Sequence, residues 1–271
     1  MTRTQDWVPA GVDITTPSIA RVYDYVLGGS HNFAVDRATA ETLQRIAPSL
    51  RRVARLNRAF MARAVRHLMA QGIRQFLDIG SGIPTVGNVH EIAQRIDPAC
   101  RVVYLDRDPV AVAHSQLMLE HTPGTGVVHA DMRDFELVVG SPAVRQLLDF
   151  SQPVGLLFML VLHWLPDESN PAELMRHYRD LLAPGSHLAL THATHDEQKQ
   201  DLEDLGDAIR LSRSADQVTP RSYEEIMTMF GDFELVEPGL VGCADWRADG
   251  PGAIADPSSN EYTYAGVARK R

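Results

Sequence analysis

The sequence predicts an α/β fold: a mostly parallel sheet with helices on both faces, preceded by an N-terminal helical extension. Three observations predict it. From Gln75 onward short apolar runs alternate with helical patterns. The first run, Gln75-Phe76-Leu77-Asp78-Ile79, ends in the glycine turn Gly80-Ser81-Gly82. Before Gly72 the chain reads as helical.

In the N-terminal part, Thr16 is placed to cap a helix starting at Pro17, a favoured first position, and Gly28-Gly29 to end it. A second helix spans residues 36–46, with Pro48 just beyond its end. A third spans residues 50–70 and is closed by Gly72. Val53, Phe60, Met61, Ala64 and Leu68 recur along it at mostly helical spacing, so Arg51, Arg52, Arg55, Arg58, Arg63 and Arg66 are expected on a solvated face. Strands follow at 75–79, 101–105, 126–129, 154–160 and 187–191. Val86, Val89, Ile92, Ala93 and Ile96 mark a helix after the glycine turn. Asn170-Pro171-Ala172-Glu173 reads as a helix start with a capping-box glutamate. Residues 233–238 and 262–268 are two late strands around a turn-rich stretch, bringing the count to seven.

The chain has 271 residues, 44% of them hydrophobic, enough for a sizeable core in one large unit or two small ones. No repeat or low-complexity linker separates residues 1–72, the extension, from residues 73–271, the α/β unit. A formal net charge of -9 disfavours a nucleic-acid partner, which needs a broad basic surface. Cys100 and Cys243 are too few for a disulfide framework. The segment Met1–Trp7 lacks a basic region followed by an apolar one, and no apolar run approaches the ~20 residues of a membrane span. A cytoplasmic protein is the expectation.

The glycine turn carries the chemistry. Its two glycines let another molecule approach the backbone, and the amides opening a helix lack internal partners, so strand, turn and helix suggest a nucleotide-type pocket. A dinucleotide fingerprint adds a third glycine, but Thr85 stands there and Gly87 comes two residues late. This disfavours an NAD-dependent oxidoreductase. Asp106 closes the second strand, where a carboxylate accepts from a ribose diol, while Asp108 caps the helix at Pro109. Asp131 closes the third strand and would accept from an adenine amino group beside the Met132 amide, or simply shape the turn. His163, after the fourth strand, would orient a substrate or act as a base, or else pack against Trp164. His192, His195 and Asp196 lack the tight paired spacing of metal ligands, and no metal is expected. There is no phosphate-binding Gly-Lys-Ser/Thr loop and no glycine-flanked serine elbow, and neither cysteine has an evident His partner.

These residues resemble a class I S-adenosylmethionine-dependent methyltransferase: Phe76-Leu77-Asp78-Ile79-Gly80-Ser81-Gly82, Tyr104-Leu105-Asp106, Ala130-Asp131-Met132 and Val161-Leu162-His163. More closely, the chain resembles an actinobacterial family of such proteins. It shares Pro17-Ser18-Ile19-Ala20-Arg21-Val22-Tyr23-Asp24-Tyr25, Leu27-Gly28-Gly29, Asn32-Phe33, Asn57-Arg58-Ala59-Phe60, Asn88-Val89-His90-Glu91 and Glu237-Pro238-Gly239-Leu240-Val241. Tyr264-Ala265-Gly266-Val267 closes the resemblance. The resemblance implies a Rossmann-like seven-stranded sheet with an antiparallel C-terminal strand, and S-adenosylmethionine as cofactor. It implies Gly80 and Gly82 along the donor's amino-acid portion, Asp78 near its ammonium, Asp106 at the ribose, and Asp131 and Met132 at the adenine, with Ser81, Arg107 and Leu160 as further cofactor-binding candidates. Tyr23, Gly28, Gly29, Asn32 and Phe33 are expected to fold over the cofactor as a lid. The expected reaction is methyl transfer to an unidentified small, apolar or aromatic acceptor. A non-catalytic protein that binds S-adenosylmethionine or S-adenosylhomocysteine is the alternative.

Overall fold

A computed structural model describes residues 12–85, 87–248 and 257–271. The Met1–Trp7 segment and Val86 lie outside the described residues. Three helices come first: α1 (Ile19–Leu27), α2 (Ala34–Ile46) and α3 (Leu50–Ala70). Then β1 (Gln75–Ile79), α4 (Val89–Ile96), β2 (Arg101–Asp106), α5 (Pro109–Leu119), β3 (Thr125–His129), α6 (Phe135–Gly140), α7 (Pro142–Leu147) and β4 (Gly155–Met159) alternate as expected. The chain continues through α8 (Pro171–Leu181), β5 (His187–Ala193), α9 (Lys199–Leu211) and α10 (Tyr223–Phe230). It closes with β6 (Glu234–Leu235), β7 (Val241–Gly242) and β8 (Thr263–Arg269).

Strands β1 to β5 pair in parallel in the order β3-β2-β1-β4-β5. Successive side chains point to opposite faces, and both faces are apolar because both are covered. On one, Phe76, Val102 and Leu157 pack with Phe60 and Leu68 of α3 and Val89 of α4. On the other, Leu77, Val103 and Phe158 pack with Val138, Val144, Tyr178 and Phe230 from α6, α7, α8 and α10. Strand β1 neighbours both β2 and β4, so strand order reverses there. The carboxyl ends of β1 and β4 flank the crevice where ligands bind in open sheets of this kind.

The C-terminal edge corrects the strand count from seven to eight. Strand β8 runs antiparallel to β5, and both β6 and β7 pair antiparallel with β8. Leu235 sits opposite Ala268 and Val241 opposite Ala265, so the edge chain bulges between the two pairs. The bulge breaks the strand expected over 233–238, since residues leaving the ladder cannot pair.

Other local corrections have tertiary causes. Helix α1 starts at Ile19, not Pro17: the Ser18 amide donates to the Asp36 carboxylate, and the Thr16 carbonyl accepts from Arg21. Glu173 makes no capping box; its carboxylate accepts from Arg176 while the Asn170 side chain accepts from the Glu173 amide. On α3 Arg51, Arg55 and Arg66 are exposed as expected, whereas Arg63 is buried and donates to the Trp246 and Cys243 carbonyls. Helices α1, α2, α9 and the start of α3 enclose a third apolar cluster that includes Val22, Val26, Leu43, Val53 and Leu205. The expected boundary at residue 72 falls just after α3, whose C-terminal half packs on the sheet. Among the described residues no helix is long and apolar enough to cross a membrane.

Candidate functional site

Beyond the strand ends a cavity opens, with about 1750 Å³ of empty space when solvent at its mouth is included. Each strand that borders the switch in order contributes to its wall. Asp78, Gly80, Ser81 and Gly82 come from the end of β1, Asp106 and Arg107 from β2, Asp131 and Met132 from beyond β3, and Leu160 and His163 from beyond β4. Tyr23 of α1 joins them from the opposite side.

The glycine turn is held by its backbone. The Gly80 and Ser81 amides donate to the Leu105 carbonyl at 2.8 and 3.0 Å, and the Gly82 amide donates to Asp106 Oδ2 at 2.7 Å. Gly80 and Gly82 both have left-handed backbone, at φ 69° and 67°. They differ in what lies beside them. A Cβ on Gly80 would meet Val161 Cγ2 at 2.3 Å, whereas one on Gly82 would meet nothing within 4 Å. Gly80 lets the turn close on β4, and Gly82 leaves space for a ligand. The helix expected to open at this turn begins only at Val89, with Asn88 and Glu91 forming its capping box. The turn therefore offers open space at Gly82 and no helix end, its own amides being taken by the Leu105 carbonyl and Asp106.

Five carboxylates line the same cavity: Asp78, Asp106, Asp108, Asp131 and Asp216. Asp106 is 8% exposed, and its two oxygens accept from the Asp108 and Gly82 amides, each retaining a further lone pair. Burial raises its pKa against the pull of those amides. Asp78 is pushed up to about 7 by burial; Arg58 opposes the shift and Asp106 adds to it. Burial is the largest single pull on Asp131 and acts upward, but the Arg133 side-chain hydrogen bonds at 2.9 and 2.6 Å, the Arg133 amide and the charges of Arg133 and Arg107 together outweigh it, and its pKa falls. Arg107 lies 3.8 Å from Asp131 and also pairs with Asp216, which accepts from the Ile19 amide at the start of α1.

His163 is 5% exposed and both packs and lines the cavity. Its ring lies 4.7 Å from Trp164 and 5.7 Å from His192, and its Nδ1 is buried without a partner. Burial, then the nearby His192 and Arg221, hold its pKa well below the ordinary range, so the imidazole is neutral. His192 and His195 lie outside the cavity wall. The His192 ring is placed between the Ala193 carbonyl and Arg221, and burial lowers it to about 3. Among the described residues no group of three or more His, Cys, Asp or Glu is arranged to hold a metal. Cys243 is pushed up to about 12 by burial, which makes it a poor nucleophile.

Gly29 and Asn32 stand apart from the cavity wall. The Gly29 amide donates to the Asp24 carbonyl and the Asn32 side-chain amide to the Asp24 carboxylate, so both lock the end of α1. Phe33 packs with Ile83, Val110 and Ala111 instead of over the cavity.

Sequence reasoning missed a buried chain of hydrogen bonds. The Leu160 amide donates to Thr191 Oγ1, which donates to Asn57 Oδ1; Asn57 Nδ2 donates to the Tyr23 hydroxyl, which donates to the Ala54 carbonyl. It ties the end of β4 to α3 and α1. It also holds Leu160 at φ 52°, a left-handed conformation that is uncommon outside glycine. The available signal was Asn57-Arg58, part of the resemblance but given no role. Arg58 lines the cavity as well.

Comparison with known proteins decides what such a cavity belongs to. A family described as S-adenosyl methyltransferase matches residues 5–271. The chain belongs to that family. Its donor is S-adenosylmethionine and its reaction class methyl transfer, which sets aside the oxidoreductase alternative. Among solved structures, a candidate methyltransferase from Thermobifida fusca YX is 42% identical to this S-adenosyl methyltransferase, with a TM-score of 0.91, covering 98% of this chain and 99% of its own. A DUF574 family protein from Streptomyces avermitilis MA-4680 is 36% identical, with a TM-score of 0.91, covering 96% of this chain and 99% of its own. An ornithine lipid N-methyltransferase from Singulisphaera acidiphila is 30% identical over 112 residues, or 41% of this chain. The match spans about half of that relative's length, 52%.

Proposed function

We propose that this protein transfers the methyl group of S-adenosylmethionine, held by the strand-end wall, to a small-molecule acceptor that meets it beside His163. The observation that carries the reading is the convergence of Asp78, Asp106 and Asp131, from three neighbouring strands, on one cavity. A donor with a positive ammonium and sulfonium suits an acidic wall. The space open at Gly82, which a Cβ would occupy, suits a ligand passing close to the backbone.

Asp106 accepts from the ribose hydroxyls with the lone pairs its amide partners leave free. Arg107 flanks it and, through Asp216, ties this wall to α1. Asp131 accepts from the adenine amino group and the Met132 amide meets a ring nitrogen, while Arg133 keeps Asp131 ionised. Asp78 faces the ammonium, whose charge adds to that of Arg58 in favouring the ionised carboxylate. Gly80, Ser81, Leu160 and Tyr23 shape the remaining wall. Gly29 and Asn32 act at one remove, by holding α1 so that Tyr23 stays in place.

The sulfonium supplies an already activated methyl group, so positioning of the acceptor supplies most of the rate. Neutral His163 offers the acceptor a hydrogen bond and takes a proton only where the acceptor nucleophile must lose one. The two buried cysteines fit a reducing, cytoplasmic setting.

Calorimetry with S-adenosylhomocysteine tests the donor site. Micromolar binding by the wild type that is lost on Asp106→Asn supports it, and equal binding by both proteins overturns it. Donor binding with no methyl transfer to any of a broad acceptor panel would favour the non-catalytic alternative.

A further inference from the structure

The cavity continues past the strand ends into a hollow between the first helices and α9. There its wall is Val26 of α1, Leu43 of α2, Val53 of α3, and Leu202, Leu205 and Ile209 of α9. These six side chains are 2–6% exposed and belong to one apolar cluster. Each nevertheless borders empty space. Protein interiors pack densely, and side chains around a void forfeit the contacts that a filled core would supply. An enclosed apolar hollow joined to a ligand cavity is the form taken by small-molecule sites.

The charge distribution narrows the occupant. Among the described residues lining the cavity, α1, α2 and α9 contribute no Asp, Glu, Lys or Arg, and α3 contributes Arg58, which is turned to the strand-end wall, where it donates to the Gly87 carbonyl and acts on Asp78. The acidic residues stand at the strand ends, apart from Asp216 beyond α9. A charged molecule placed in the hollow would lose its hydration and find no opposite charge. His163 and Trp164 line the cavity too, and Trp164 packs against the hollow's apolar cluster. His163 therefore brings to this cavity wall a side chain whose Nδ1 is buried without a partner.

We propose that this hollow is the acceptor subsite and that it takes a neutral molecule with an aliphatic or aromatic body, its nucleophilic heteroatom beside His163. The proposal rests on the strand-end wall being the donor site, and it assigns Val26, Leu43, Leu202 and Leu205 to acceptor specificity.

The test uses the full chain and N-phenyl-1-naphthylamine, a neutral apolar probe whose fluorescence rises in apolar surroundings. Saturable binding is expected, displaced by 1-octanol but at least about tenfold less well by octanoate, which carries an uncompensated charge. Two variants from different helices, Leu205→Trp and Val26→Phe, fill the hollow. Each is expected to weaken the probe at least about tenfold while leaving S-adenosylhomocysteine affinity within about twofold. Absence of saturable probe binding, equal displacement by octanol and octanoate, or undiminished binding in both filled variants overturns the proposal. The alcohol and carboxylate comparison is made on the wild type, so it decides even if neither variant folds. Probe binding without S-adenosylhomocysteine binding overturns the donor reading, and the acceptor role with it.

Discussion

The two walls of the cavity are made of opposite chemistry. The strand-end wall gathers Asp78, Asp106 and Asp131, while the helical wall presents Val26, Leu43 and Leu205. Their origins explain the difference. A strand end hands over to a loop whose amides need acceptors, and Asp106 serves the Gly82 and Asp108 amides for that reason. The helical wall is the inside of an apolar cluster whose helices stop short of filling it. Polar geometry at the donor side is set by the backbone, and shape at the other side by packing.

The largest expected effect is on the acidic wall. Asp106→Asn removes a charge that strengthens hydrogen bonds to ribose, and S-adenosylhomocysteine affinity should fall by about 3 kcal/mol, roughly 100-fold, in calorimetry. Wild-type affinity would erase the distinction between the walls. The seam where they meet comes next. Asn57→Ala leaves the buried Thr191 and Tyr23 hydroxyls short of a partner, and denaturant unfolding should show a loss of about 2 kcal/mol. An unchanged midpoint would mean that the seam does not couple the walls.

The third effect is a pH dependence confined to the acidic wall. Asp78 titrates at about 7 in the folded protein against an ordinary 3.8, so the folded state holds the proton more tightly. Its contribution to stability is complete below 3.8, declines as pH rises to about 7 and is constant above that. Donor affinity should run the other way, rising about tenfold between about pH 6 and pH 8 as the carboxylate becomes available to an ammonium. Asp78→Asn should flatten both slopes; persistence of either would assign it to another group. The smallest effect is Gly82→Ala. Left-handed backbone costs an alanine about 1 kcal/mol of stability, with no added clash in the protein itself. That strain is common to the free and bound protein, so donor affinity should fall only through contact of the new Cβ with the ligand, and unchanged affinity would place the ligand elsewhere.

Features carried by local pattern were legible in the sequence. Helix α3 and strand β1 have the ends that their apolar runs and flanking glycines imply. Asp106 and Asp131 could be read because each stands at or just past the end of a short apolar run, whereas Asp78, inside β1, was read from the family resemblance. Where a distant group captures a local one, the reading failed. The Ser18 amide goes to Asp36, eighteen residues away, and delays α1. Asn32 goes to Asp24 and leaves the cavity wall. The edge strand near the C-terminus was read as continuous because a bulge depends on pairing with β8, which residues 233–242 do not encode by themselves.

By itself the sequence determined the parallel sheet, the order of its elements and the carboxylates and glycines at its strand ends, because alternation and turn chemistry are properties of a few adjacent residues. Only the tertiary structure decided that α9 faces α1 and α2 across an unfilled space, that Asn57 links Tyr23 to Leu160, and that His163 is buried and neutral. The first two features join residues more than a hundred positions apart and the third depends on His192 and Arg221 from later elements, and packing, not local pattern, determines whether such residues meet and what is left open between them.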